Sequence, residues 1–353
     1  MIRLTYIAVS LLALAVGLEG ATRLDEWVRW GTPVTSTARS LDDIITIDST
    51  GARGISGAQY RQFALNSLGL RGPEPRAGRP RVLVFGASET FGLYESPGRE
   101  YVRQVEDSLA AIGCEIDVLN ASLPGFSLPT LLASFGHSVG PVGAVAAIIY
   151  PTPVQYLQAE RPAFVPPASS ASRGADAPVG LRMTRRLRDH TKMIVPDWLK
   201  TSLRQFQITE QRRQLDGDPL WTTVPDDRLD AFVADLGALV DSLQARGITP
   251  VLATHANAFP AGQPRDRTRL VAWAKFYPRA DPALLPVFDS VANLRIRELA
   301  ARRGLALADP AAVFVAPDPG PDFADFSHFT DQGAAKMAGA LVPAVRPLLP
   351  CRR

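Results

Sequence analysis

Cysteine and histidine are scarce in this chain. Its 353 residues include two cysteines and four histidines. Cys114 and Cys351 are too few for a disulfide framework or a cysteine-bound zinc cage. Two free thiols are therefore the default expectation, with a Cys114–Cys351 bridge open to the chain in an oxidising compartment. The histidines (His137, His190, His255 and His328) are scattered and leave little material for a metal centre. Excess charge is lacking too: 38 basic against 35 acidic residues give a net +3, too little to mark a nucleic-acid binder. No H-E-x-x-H occurs, and no glycine-rich turn ending in Gly-Lys-Ser/Thr. Neither a metal nor a nucleotide cofactor is indicated.

What is present describes a globular chain. Hydrophobic residues make up 46% and charged residues 21%, which argues against disorder and against a polytopic membrane protein. The length allows one or two domains with a sizeable core. The 30 prolines and 27 glycines point to many loops.

One long apolar run stands at the amino end. Arg3 precedes Leu4 to Leu18, and Glu19 ends the run. A basic flank before an apolar stretch reads as a membrane anchor or signal over residues 1–24. The run spans a bilayer if Ile2 and Ala21 are counted and Arg3 and Glu19 snorkel. A cleaved signal and a peripheral helix are the alternatives. With Arg3 retained on the cytoplasmic side, a single span of the inner membrane places the body in the periplasm or outside the cell. Residues 25–80 show no long periodic pattern and read as a stalk and lead-in. Within them Asn66-Ser67-Leu68-Gly69-Leu70-Arg71-Gly72 is dense in turn residues.

From Arg81 short apolar strands alternate with helical stretches. Strands are predicted at Arg81–Phe85, Glu115–Asn120, Ala144–Tyr150, Ile248–Thr254 and Leu305–Asp309, with helices between them and a last helix over Asp331–Val345 capped by Thr330. Five such alternations predict an α/β fold with a parallel sheet covered on both faces, a three-layer α/β/α domain over residues 81–350. An insertion at about 160–225 breaks the rhythm. Pro162–Gly180 reads as loop, and Arg182–Arg213 carries nine basic residues against Asp189, Asp197 and Glu210. That segment reads either as a solvated helical hairpin or as a basic amphipathic cap touching an anionic membrane or an acidic polymer.

In doubly wound sheets, ligands bind beyond the carboxyl ends of the strands. Gly86-Ala87-Ser88-Glu89-Thr90-Phe91-Gly92 follows the first strand at once and sets Ser88 in a tight turn, where backbone N–H groups can stabilise an anion. Asp325-Phe326-Ser327-His328 precedes the last helix. Three residues of spacing let one turn carry both an imidazole base and the carboxylate that orients it.

Together these blocks resemble the SGNH, or GDSL-like, hydrolase family, in a membrane-anchored form, over roughly Arg81 to Leu341. The resemblance implies a five-stranded flavodoxin-like sheet, with Ser88 as nucleophile, His328 as general base and Asp325 as the third triad member. It also implies that Gly125, in Asn120-Ala121-Ser122-Leu123-Pro124-Gly125, supplies an oxyanion N–H beside that of Ser88. Two departures from the family pattern are evident. Ala87 stands where the family has aspartate, and Tyr150-Pro151-Thr152-Pro153-Val154-Gln155-Tyr156 lacks the asparagine that completes the oxyanion hole. Thr152 or Gln155 is the replacement donor, Thr152 occupying roughly the asparagine's place. Gln155, His255 and Asn257 are candidates to contact substrate, His255 being equally explicable as a structural histidine. The implied activity is hydrolysis of O-acyl esters, on envelope glycans or lipids if the body lies outside the inner membrane. An acyltransferase, or a catalytically weak binding module of envelope polysaccharide assembly, are the alternatives. The resemblance calls for no cofactor and no nucleic-acid partner, and the oligomeric state stays open.

Overall fold

The computed structural model describes residues 2–140, 142–165, 181–215, 219–259, 266–316 and 320–351. Five short strands, β1 (Arg81–Phe85), β2 (Asp117–Asn120), β3 (Ala146–Ile149), β4 (Thr249–Ala253) and β5 (Ala306–Ala308), form one parallel sheet in the order β2-β1-β3-β4-β5. Val82 lies opposite both Val118 and Ala146, and Leu252 lies opposite Leu307. β3 is apolar at every position because it is buried on both faces, as the central strand of a parallel sheet must be. Alternate side chains sort to opposite faces.

Among the described residues the seven longest helices are α1 (Ile2–Trp30), α2 (Tyr101–Ala111), α3 (Arg182–Ile194), α4 (Asp197–Arg213), α5 (Asp226–Gln244), α6 (Leu284–Arg303) and α7 (Asp331–Val345). Val82, Val84, Val118, Ile148 and Val251 share a core with Val102 and Val105 of α2 and Met337 and Leu341 of α7. Leu83, Phe85, Leu119, Ile149 and Leu252 face Phe232 and Leu236 of α5 and Phe288 and Ala292 of α6. The result is a three-layer α/β/α domain with the flavodoxin-like strand order, whose switch point lies between β1 and β3.

The amino-terminal region departs from the predicted stalk. α1 runs unbroken through Trp30, and its segment Thr5–Trp30 is long and apolar enough to cross a membrane by length and composition. Leu11, Leu14 and Val16 are exposed, but from Glu19 onward the helix docks on the body. Glu26 is buried and pairs with Arg182 of α3 at 2.7 Å, and Asp25 pairs with Arg186 at 2.8 Å. Beyond α1, two short hairpins (Ile45–Asp48 with Gly51–Gly54, and Gln59–Tyr60 with Phe63–Ala64) bury Ala52, Tyr60 and Phe63 in the α5–α6 core. Single apolar residues spaced among Gly, Arg and Ser leave no period to read, which is why this layer looks like a stalk in sequence.

The insertion folds in part as a helical pair. α4 buries Ile208, and its Arg212 guanidinium donates to the carbonyls of Pro278 and Ala280 at 2.8 and 3.0 Å. Its opposite side exposes Trp198, Leu203 and Phe206. Most of the loop expected at Pro162–Gly180 lies outside the described residues. The cysteines are not free thiols: Cys114 and Cys351 are joined, because the segment after α7 returns alongside the start of β2. Chain proximity at a separation of 237 residues has no signature in sequence.

The buried Arg182–Glu26 pair yields a stability prediction. Removing one partner of a buried pair leaves the other charge uncompensated, at a cost of about 3 kcal/mol. Glu26→Ala should therefore lower the thermal unfolding temperature clearly. Arg29→Ala, which breaks only a more exposed pair with Asp25 on the same helix, should change stability by less than about 1 kcal/mol. Equal effects of the two would show that α1 does not dock through Glu26.

Candidate active site

The carboxyl end of β1 opens into a four-residue helix, Ser88–Phe91. Gly86 is required just before it, because a Cβ there would overlap the Thr90 side chain and come within 2.9 Å of the Tyr150 carbonyl. The short helix is braced from three sides. Asn120, at the end of β2, donates its amide to Thr90 O at 2.7 Å, and the Tyr101 hydroxyl donates to Thr90 Oγ1 at 2.8 Å. Arg71 donates to the carbonyls of Phe91 and Gly92.

On this turn, Ser88 Oγ lies 2.9 Å from His328 Nε2. His328 Nδ1 lies 2.9 and 3.0 Å from the two oxygens of Asp325. Asp325 Oδ1 also accepts the backbone N–H groups of Ser327 and His328 at 3.0 and 2.9 Å, so the carboxylate is locked to its own turn. Ser88 and His328 are 240 residues apart, brought together because β1 and the loop before α7 end on the same sheet edge.

These residues line a cleft of about 550 Å³ with Gly125, Thr152 and Gln155. Gly125 adopts φ +81°, a left-handed conformation natural to glycine. Among the described residues, neither its N–H nor that of Ser88 donates to a protein group, and the Ser88 N–H, at the first helical position, has no intrahelical partner. Tyr94 lies over His328 with ring centres 5.2 Å apart, and Phe276 and Arg204 of α4 form other parts of the wall.

The two replacement donors differ in what they have left to give. Thr152 Oγ1 lies 3.3 Å from Glu89 Oε2. A carboxylate only accepts, so the single hydroxyl proton of Thr152 points at Glu89 and not into the cleft. Gln155 donates one amide proton to Phe126 O at 3.0 Å and keeps a second.

His255 and Asn257 do not line this cleft. They border a separate depression of about 310 Å³, and His255 is fully buried. Its Nδ1 lies 2.9 Å from Asp289 Oδ2 of α6, its backbone N–H donates to Asn293 at 2.7 Å, and Asn257 donates to the same Asp289 oxygen at 2.6 Å. The pull of α6 turns both side chains away from the cleft. Sequence reasoning passed over Glu89 altogether. It is buried directly after Ser88, and Oε1 accepts the Ser327 hydroxyl at 2.9 Å and lies 3.9 Å from His255 Nε2. A charged residue inside a turn of small residues was the available signal.

Burial opposes charge on these groups, and their neighbours overcome it. His255 is pushed up to about 10 because Asp289 and Glu89 outweigh the cost of desolvation. Glu89 is held well below the usual carboxylate range by His255 and His328 despite its burial. His328 is raised by Asp325 and Glu89 against burial, and Asp325 is lowered in return, chiefly by its hydrogen bond to His328.

The sequence matches no family model and no curated protein. Solved structures similar to the chain include a lipase/acylhydrolase from Enterococcus faecalis, 15% identical with a TM-score of 0.46 over 78% of this chain and 99% of that one. A GDSL-like lipase from Bacteroides thetaiotaomicron is 13% identical with a TM-score of 0.44, over 78% and 93% of the two chains. An acetyl xylan esterase is 17% identical with a TM-score of 0.44, over 75% and 99%.

The charged His255 generates a pH prediction. Its folded value of about 10 lies above the 6.5 of an unperturbed histidine. Its contribution to stability is therefore complete below pH 6.5 and is lost progressively as pH rises to 10. The unfolding temperature should fall across that window in the wild type and fall less in His255→Asn. A wild-type stability that is flat from pH 6.5 to 10 would show that His255 is neutral in the folded protein.

Proposed function

We propose that the chain is a serine esterase of the SGNH type. The observation that carries this reading is the unbroken chain Asp325–His328–Ser88, with both links at 2.9 Å, facing two unpaired backbone N–H groups in one cleft. Ser88 Oγ attacks the ester carbonyl as its proton passes to His328 Nε2, and Asp325 holds the imidazole in the required tautomer. The negative oxygen is received by the N–H groups of Ser88 and Gly125. The remaining amide proton of Gln155, in place of the Thr152 hydroxyl, serves as the third donor. Collapse releases the alcohol with the proton from His328, and water repeats the sequence on the acyl-enzyme.

The substrate proposed is an O-acyl ester on an envelope glycan or lipid. The support is positional: an apolar helix able to span the membrane leads directly into the body, which on this reading sits on the periplasmic side of the inner membrane. Transfer of the acyl group to a sugar hydroxyl in place of water would use the same first half-reaction.

Ser88→Ala should abolish both hydrolysis of a soluble aryl ester and labelling by a fluorophosphonate, with the unfolding temperature unchanged. His328→Ala should be nearly as damaging, and the double variant little worse than either, since groups acting as a unit are non-additive. Gln155→Leu should slow acylation by about 10²-fold while Thr152→Val leaves it within a few-fold. Labelling that survives in Ser88→Ala would refute the nucleophile, and multiplicative losses in the double variant would refute a shared step.

A further inference from the structure

The site holds a carboxylate that the acyl-transfer steps above do not use. Glu89 is adjacent to the nucleophile and 4% exposed, and its two oxygens serve different neighbours. Oε1 accepts from Ser327 and faces His255 Nε2. Oε2 takes the Thr152 hydroxyl and lies 3.4 Å from Ser88 Oγ. A buried carboxylate is costly unless its charge is compensated. Compensation comes from the far side: Asp289 fixes His255 at 2.9 Å, and His255 Nε2, with no hydrogen-bond partner of its own, looks onto Glu89 at 3.9 Å. Ser88 therefore stands between two imidazole–carboxylate assemblies, Asp325–His328 on one side and Asp289–His255–Glu89 on the other.

We propose that Glu89 is a positioning residue of the site: its Oε2 offers the Ser88 hydroxyl a second acceptor opposed to His328 Nε2, and its negative charge favours the imidazolium of His328. The serine has one proton to direct. When His328 is charged, Nε2–H donates to Ser88 Oγ and the serine proton turns to Glu89, a resting arrangement that cannot attack. When His328 is neutral, its Nε2 accepts the serine proton and Ser88 is armed. Glu89 thus sets the pH at which the site passes from one arrangement to the other. The catalytic meaning of this switch rests on the reading of Ser88 and His328 as nucleophile and base; the proton arrangement itself does not.

The other groups facing His328 have defined parts. Asp325 lies on its own turn and favours the same imidazolium. Glu95 is buried in the segment after the nucleophile helix and is pushed up to about 7, chiefly by burial, so it is half neutral in the relevant range. Tyr94 lies tilted beside the ring and is pushed up by burial and by Asp325, so it stays neutral. Arg204 and Lys275 are the cations lining the cleft. Glu89 is the ionised carboxylate near His328 that is not already spent on holding its Nδ1.

The test is a titration of the full-length protein, labelled with ¹⁵N-histidine, in detergent micelles. The four histidines keep the spectrum assignable. The His328 midpoint should fall by about one pH unit in Glu89→Gln, the size expected when a neighbouring opposite charge is removed. The acid limb of kcat/KM for a neutral soluble ester should move down by the same amount. An unmoved midpoint in a folded Glu89→Gln protein overturns the proposal. A wild-type measurement covers the case in which the variant does not fold: His255 should remain doubly protonated through pH 8 as the counter-charge of Glu89, and a neutral His255 at pH 7 overturns the proposal equally. A midpoint shift in a protein with no esterase activity supports the role of Glu89 and rejects the esterase reading. Activity lost in Ser88→Ala with an unmoved midpoint does the reverse.

Discussion

A helix of four residues cannot hold itself together, since too few hydrogen bonds repay the cost of nucleation. The turn that carries Ser88 is such a helix, and everything at the cleft depends on the groups that close it. Arg71 is the principal one. Its guanidinium is buried between the rings of Phe63 and Phe91, at 4.9 and 4.7 Å, and it satisfies two carbonyls at the end of the turn. Glu100 stands 3.8 Å away as partial counter-charge. The backbone N–H of Arg71 donates to Asn120 O, and the Asn120 side chain returns to Thr90, so the lead-in, β2 and the Ser88 turn form one closed circuit. The segment before the sheet is part of the site's foundation.

The sheet was legible because its signals are local. Apolar runs such as Ala144–Tyr150, followed by glycine or proline, mark buried parallel strands, and Thr330 does cap the last helix, accepting from Gly333 N at 3.2 Å. Ser88, Asp325 and His328 could be picked out because each sits immediately beyond a strand or before a helix. Other features depend on tertiary contacts that no spacing encodes. His255 and Asn257 follow β4 as a ligand-binding pair would, yet Asp289, 34 residues beyond His255, draws the imidazole behind the cleft. Thr152 occupies the place expected of an oxyanion donor, but Glu89 takes its proton. The lead-in hid its packing for a different reason: each of its buried residues acts alone.

The cap and the amino-terminal helix form a second continuous unit. Glu19 accepts the Met183 N–H at 3.0 Å, Glu26 holds Arg182, and α4 then carries Arg204 to the cleft wall. The helix that supplies Arg204 to the cleft wall thus follows one tied to the helix whose exposed half is apolar.

The Cys114–Cys351 bond divides the residues around the cleft in a way that its geometry conceals. Asp325 and His328 lie within the covalent ring it closes, whereas Ser88 and Glu89 precede the ring. Asn120, which braces the Ser88 turn through Thr90, lies inside the same ring shortly after Cys114, so the bond anchors the supports on both sides of the Ser88–His328 contact.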